Sequence, residues 1–184
     1  MSIEADVVRI RRAGLDDVDF FVRLVSHEEV EPFLSVTRAR NRKGVREEIE
    51  RSRSSPREFG RFVIEAMLDD SWMRAGIMGF EVANRRSRIA QLGGLAIEPE
   101  LRGQRVADTA ARLLQHLLLG ELGYHRLQLE CYGFNERAIR HAERSGFIRE
   151  GVKRKAYWRH GEWVDGVLYG LLAEDLERGT FSEG

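Results

Sequence analysis

What this chain lacks narrows the field first. Its 184 residues hold a single cysteine, Cys131, so no internal disulfide can form and no CxxC pair can bind zinc. No apolar run approaches the roughly 18 residues of a membrane-crossing helix, which excludes a transmembrane helix. An excess of either charge is missing too. The 30 basic and 30 acidic residues cancel, so no global field draws the protein to nucleic acid or to an anionic membrane. There are only 3 prolines, with no repeat, no low-complexity tract and no linker that would divide the chain. The opening MSIEADVVRIRR lacks the basic-then-apolar design of an export signal, and a cytoplasmic protein is expected. The histidines, His27, His116, His125, His141 and His160, show neither His-x-His nor i,i+4 spacing, so no metal site is expected. Neither G-x-x-x-x-G-K-[ST] nor G-x-G-x-x-G occurs, which disfavours the common nucleotide-binding folds.

What is present reads as one soluble domain spanning residues 1–184, with 42% apolar and 33% charged residues and length enough for a core without staples. Val7 and Val8 open a strand expected over Asp6 to Arg11. Asp16 and Asp17 are placed to cap a helix from Val18, whose apolar stripe is Phe20, Phe21, Leu24 and Val25. The stretch from Arg38 to Pro56 is rich in Arg, Glu and Ser, with only Val45 and Ile49 at helical spacing, and reads as a solvated helix at best. FVIEAM (62–67) and IMGFEV (77–82) read as strands joined at Asp69-Asp70-Ser71. IAQLGGLAI (89–97) is a third strand, interrupted by Gly93-Gly94, a pairing that marks a bulge or a close backbone approach. A helix is expected from Arg105 to Leu119 on the stripe Val106, Ala110, Leu113, Leu114 and Leu117. A strand follows at Arg126 to Cys131, then a short helix capped by Asn135 and stopped at Gly146. A hairpin turning at His160-Gly161 closes the order, with a last strand near Val167 to Leu172.

The unit carrying chemistry is strand, bulge, loop and helix, GGLAIEPELRGQRVADTAARLL. A helix N-terminus leaves amide N–H groups unpaired and its dipole favours negative charge, so the loop is built for an anion. Arg102, Gly103 and Arg105 add basic charge and a small residue where the helix begins.

This segment resembles the pyrophosphate loop of the GCN5-related N-acetyltransferases, [QR]-x-x-G-x-[GA], with the pattern falling on Arg102, Gly103, Gln104, Arg105, Val106 and Ala107. The family's N-x-x-[AS] followed by G-F is met at Asn135, Ala138, Gly146 and Phe147. AYWRHGEWVDGVLYGLL (156–172) is similar to the C-terminal hairpin of the RimJ/RimL branch, which acetylates protein N-terminal amines. The likeness covers residues 76–172 well and the first 70 in outline. It implies an α+β fold: a twisted, mostly antiparallel sheet of six to seven strands with a V-shaped splay, flanked by about four helices. It implies acetyl-CoA, its pyrophosphate on the amides of Gln104 to Ala107 and its pantetheine arm along Leu95, Ala96 and Ile97, with Asn135 and Ala138 opposite. Amides near Leu95 and Ala96 would polarise the thioester carbonyl, a role in which one donor supplies about 3 kcal/mol. Relatives are often dimers, so a homodimer is within the expectation.

Three positions depart from the family pattern. Its central loop glycine is Arg105, which still offers a backbone N–H and can reach a phosphate. Its glutamate base falls at Gln91, which cannot accept a proton, and its tyrosine acid at Ala142. Other carboxylates, Glu81, Glu98 and Glu130, are then the candidate bases, directly or through water, and Tyr169 and Tyr132 the candidate acids. A water relay is the base favoured by this set.

The acceptor follows from pKa. A lysine amine near about 10.4 is almost wholly charged at pH 7, whereas an α-amine near about 7.8 is partly neutral. Without an obvious carboxylate base, an N-terminal α-amine of a protein or peptide is the first-choice acceptor. The alternatives are a small amine, such as a polyamine, aminoglycoside or amino-acid derivative, and a non-catalytic CoA sensor. Cys131 and His125 lie six residues apart, too far along one strand for a nucleophilic pair. Lys153 to Arg159 interleaves bases with aromatics as RNA-binding hairpins do, but with zero net charge it reads as a hairpin with one wet face. Trp158 and Trp163 flank its turn, where they would line the acceptor pocket or a dimer contact.

Overall fold

Short β-branched and aromatic runs punctuated by glycine and aspartate set the strands of the computed structural model, which describes residues 7–35 and 38–179. Asp6 of the expected first strand lies outside the described residues, as does most of the opening segment. The strands are β1 (Val8–Arg12), β2 (Phe59–Leu68), β3 (Ser71–Asn84), β4 (Ile89–Ile97), β5 (Arg126–Tyr132), β6 (Ile148–Arg159) and β7 (Glu162–Leu172). The helices among the described residues are α1 (Val18–Val25), α2 (Arg42–Ser54), α3 (Val106–Gln115), α4 (Glu136–Arg144) and α5 (Ala173–Gly179), besides short 3-10 turns and one π turn. α5 was not foreseen from the sequence. The strands form one seven-stranded sheet in the order β1-β2-β3-β4-β5-β7-β6. β4 and β5 run parallel, in register over Ile89↔Arg126, Ala90↔Leu127 and Gln91↔Gln128. The pairs β1–β2, β2–β3, β5–β7 and β6–β7 are antiparallel.

Contacts gather the chain into two compact units, Met1–Glu81 with Leu92–Leu114, and Val82–Gln91 with Gln115–Gly184. In the first, β2 turns into β3 through Asp69 and Asp70, at φ 47° and 60°. Positive φ at both central residues is what a two-residue hairpin needs, and aspartate tolerates it. Phe20, Phe21, Leu24 and Val25 of α1 pack with Val63 and Ile77 of the sheet. Val45 and Ile49 of α2 join the same core, so α2 is not the solvated helix its composition suggests. Two apolar residues one turn apart suffice because Ser52, also buried, accepts the Arg61 N–H at 2.8 Å on its Oγ.

The α3 stripe also differs from expectation. Val106, Ala110, Leu114 and Leu118 are buried at steps of four, while Leu113 faces solvent. Leu113 lies about 100° around the helix from Leu114, off the buried line. The chain then widens into a π turn at His116–Glu121, with the Leu122 N–H donating to the Leu117 carbonyl five residues back.

In the second unit, Leu127, Phe147, Val167, Tyr169 and Leu171 are core. Asn135 caps α4 as its sequence position predicts, its Oδ1 accepting the Ala138 N–H at 3.2 Å. The helix stops at Gly146, φ 87°. β6 and β7 join through His160 and Gly161, both at positive φ. No helix among the described residues is long and apolar enough to cross a membrane.

Candidate active site

The chemistry-bearing segment of the first unit begins at the double glycine of β4. Gly94 sits at φ 65°, a left-handed conformation that glycine adopts without steric cost. A Cβ there would also stand 1.5 Å from Nη1 of Arg38, so the guanidinium lies directly on the glycine. Gly76 of β3 allows the next close approach, since a Cβ on it would stand 2.4 Å from the Ala96 carbonyl oxygen. Ala96 and Ile97 are buried and Leu95 is half-buried. The strand then gives way to a 3-10 turn, Pro99–Leu101, and the loop to α3.

Gly103, at φ 77°, is exposed with nothing within 4 Å of where a Cβ would be. Arg105 is at φ 58°. Arginine there takes up the left-handed conformation for which glycine is the usual residue, so the substitution keeps the turn at a cost of about 1–2 kcal/mol. Val106 is buried and anchors the start of α3. The Val106 and Ala107 amides precede the first hydrogen bond of α3, from the Thr109 N–H to the Arg105 carbonyl at 3.0 Å. Open backbone at Gly103, these amides and the exposed Arg105 side chain fit a diphosphate. Arg102 is differently engaged, donating to Glu29 Oε2 at 3.4 Å and to the Glu29 carbonyl at 3.2 Å.

Of the expected carboxylates, Glu98 is nearly buried and forms a two-pronged ion pair with Arg23 of α1. That contact, against the cost of burial, raises the Arg23 pKa. Both line a cleft of about 680 Å³ with Phe20, Trp72 and Arg74. Glu81 is exposed and pairs across the sheet with Phe59. The Glu98 N–H bonds the carbonyl of Ala75, six residues from Glu81 on β3, so the backbones of the two glutamates lie about 20 Å apart along the strand direction. The structure does not bring them together.

The second unit holds the remaining candidates. Glu130 of β5 accepts from Lys153 Nζ at 2.8 Å and from the Tyr157 hydroxyl at 2.7 Å. Its Oε1 lies where a Cβ on Gly166 would be, at 2.1 Å. The Lys153 pKa is raised, chiefly by that hydrogen bond. Tyr157 is raised by burial and then by Glu130. Tyr169 is buried on β7, its hydroxyl donating to Glu143 Oε1 at 3.0 Å. Burial and that hydrogen bond push its pKa up to about 12. Tyr132 stacks on Phe134, meets Tyr157 edge-on and lies under Arg159. Gln91 is engaged by Gln128 Nε2 at 2.9 Å, and Ala142 is buried. Cys131 is a buried free thiol, pushed up to about 11 by burial and by Glu130, and so an inert one. Lys153, Arg154 and Lys155 are exposed, and Trp158 and Trp163 meet at 5.2 Å.

Three participants escaped the sequence reading. Arg23 and Tyr157 are recognisable only from their carboxylate partners, each distant in sequence. Arg38 sits in the Arg- and Ser-rich run that looked solvated, where nothing local marks it.

The chain matches the model of the acetyltransferase (GNAT) domain over residues 8–148, and it belongs to the GNAT acetyltransferase family. Acetyl-CoA is the acetyl donor of that family. Among curated proteins, the SPbeta prophage-derived uncharacterized N-acetyltransferase YokL of Bacillus subtilis (strain 168) is 31% identical over 83 residues. That match spans 45% of this chain and about half, 47%, of the relative. Among solved structures, spermidine N-acetyltransferase from Vibrio cholerae in complex with CoA and spermine superposes with a TM-score of 0.81 at 19% identity, over 92% of this chain and 98% of that one. RimL, a ribosomal L7/L12 alpha-N-protein acetyltransferase in complex with coenzyme A, superposes with a TM-score of 0.76 at 18% identity, over 92% and 96%. At these identities the structural likeness speaks for the fold.

Proposed function

We propose that this protein transfers the acetyl group of acetyl-CoA to a primary amine by direct attack, with the α-amine of a protein or peptide N-terminus as first-choice acceptor. The observation that carries the reading is the β4–loop–α3 backbone, with Gly94, Gly103 and Arg105 all at positive φ ahead of a helix N-terminus. In this reading the diphosphate lies on the amides of Gln104 to Ala107, with Arg105 as an added cation. Leu95, Ala96 and Ile97 offer main-chain groups to the pantetheine arm. Bound acetyl-CoA supplies an activated thioester carbonyl, and amides near Leu95 and Ala96 polarise it.

Proton removal falls to water rather than to a single side chain. Glu98 and Glu130 are held by cations, and Gln91 cannot serve. Of the hydroxyls, Tyr169 already donates to Glu143 and is harder to ionise than an ordinary tyrosine, which weakens it as the acid. A low-pKa α-amine needs the least help of any acceptor, and this, with the RimJ/RimL-like hairpin, places a peptide N-terminus ahead of a polyamine. A homodimer accords with the family habit.

The test is a calorimetric titration with acetyl-CoA, followed by mass-spectrometric screening of peptides and small amines for acetylation. Acetyl-CoA binding with transfer to an N-terminal amine supports the proposal. Binding without transfer to any amine makes the protein a CoA sensor. Individual Glu81→Gln, Glu98→Gln and Glu130→Gln variants should each retain transfer. Abolished turnover in one of them, with acetyl-CoA affinity intact, would replace the water relay by that carboxylate.

A further inference from the structure

The segment between α1 and α2 places an arginine where the proposed chemistry would occur. Arg38 abuts Gly94 of β4, its Nη1 1.5 Å, its Cζ 2.3 Å and its Nη2 2.9 Å from the position a Cβ would take. Its Nη2 is buried without a hydrogen-bond partner. Two residues on, Arg40 ion-pairs with Glu31 through Nη1 yet buries Nε and Nη2 without partners. A buried guanidinium with an unsatisfied nitrogen is costly, and the charge of Glu48 offsets only part of that cost. Glu48 is committed to Arg61 Nε at 2.7 Å. Arg61 is itself a second cation acting on Arg38. Burial, reinforced by Arg61, pushes the Arg38 pKa down to about 10, still well above neutrality, so the group stays charged.

We infer that Arg38 recognises a carboxylate carried by the acceptor close to its reacting amine. The inference rests on the acetyl-transfer reading above and narrows its substrate. A cation beside Gly94 that Glu48 compensates only in part attracts an anion and repels a polycation. The planar fork of a guanidinium matches a carboxylate by two parallel hydrogen bonds. Two sources share this chemistry: a free amino acid, whose carboxylate is attached directly to the amine-bearing carbon, and a peptide whose first residue is Asp or Glu. Spermidine, with several positive charges and no anion, is disfavoured.

The experiment compares acceptors that differ only in charge. Peptides beginning with Asp or Glu are paired with the same peptides beginning with Asn or Gln, and free glutamate and spermidine are added. The result expected is faster acetylation of one or more carboxylate-bearing acceptors than of their neutral counterparts. In Arg38→Gln that preference should collapse by about 10- to 100-fold, the worth of a charge-assisted hydrogen bond, mainly through KM. Arg38→Lys should restore part of it. Preference for the acidic peptides identifies a side-chain carboxylate, and preference for glutamate a free amino acid. Where turnover is too slow to rank acceptors, calorimetric titration of the CoA-loaded protein with glutamate and with the acidic peptide gives the same comparison. Spermidine as the best acceptor, a preference indifferent to Arg38→Gln, or no binding of either carboxylate would overturn the inference. Acetyl-CoA binding, measured separately on both variants, tells this failure from failure of the acetyl-transfer reading itself.

Discussion

Single residues bear the conformational cost of the site. Arg105 holds a left-handed backbone that glycine would hold without strain. Arg105→Gly therefore relieves about 1–2 kcal/mol of strain, offset by about 0.5–1 kcal/mol of extra unfolded-state freedom. The variant should melt at or slightly above the wild-type temperature in a thermal denaturation scan. Calorimetry should at the same time show an acetyl-CoA Kd raised by about 1.5-fold to fivefold, as expected for loss of one exposed cation from a phosphate. A lower melting temperature with unchanged Kd would mean that Arg105 serves the fold and not the ligand. Gly94 has no such freedom, because both its φ and the guanidinium above it exclude a side chain.

At the scale of elements, α2 shows how little apolar surface can decide a helix's place. Ile49 is fully buried in the core shared by α1 and β2, so Ile49→Ala should cost about 2–5 kcal/mol. Lys43→Ala, on the exposed face, should change stability by less than about 0.5 kcal/mol in chemical denaturation. Equal, small effects would restore the solvated helix that composition alone suggests. Elements whose signals are local were legible in the sequence: the close approach at Gly94 of β4 from Gly93-Gly94, the α4 cap from Asn135, the last hairpin from His160-Gly161. The depth of α2 was not, because burial there depends on what Val45 and Ile49 meet across the chain. Likewise the exposure of Leu113 turns on the tilt of one helical line. In the site, the loop could be read because its residues are contiguous. The partners of Glu98, Glu130 and Gln91 could not, since Arg23, Tyr157 and Gln128 lie 75, 27 and 37 residues away.

For the whole molecule, charge pairs frame the pH range of stability. Burial would raise the pKa of Asp17, but hydrogen bonds from Arg11 and the Gly14 N–H, with the charges of Arg11 and Arg74, hold it below its ordinary value. Glu65 is likewise lowered, Arg11 and Arg9 outweighing burial, and Glu150 by its bond from Arg126. A depressed carboxylate stabilises the fold above its unfolded pKa of about 4, and that contribution disappears as pH falls through the folded value. Cys131 and Tyr169 act in the opposite sense. Raised to about 11 and about 12, they stay neutral while the unfolded chain ionises, so stability falls as pH climbs past about 9. Melting temperature against pH should therefore form a plateau from about pH 5 to 9 with a decline on each side. Asp17→Asn should lower the plateau and flatten its acid limb, and an acid limb of unchanged slope would assign it to other groups.

The placement of the chain's aromatic chromophores has a practical result. Its three tryptophans, Trp72, Trp158 and Trp163, are 39%, 57% and 58% exposed, so none is shielded as a core indole would be. Their emission should already be that of largely hydrated rings in the native state and should shift little in colour when the core melts. The edge-to-face contact of Trp158 with Trp163 makes the intensity sensitive to the tip of the last hairpin instead. Fluorescence thus follows events at that tip, and loss of the fold is better followed by circular dichroism.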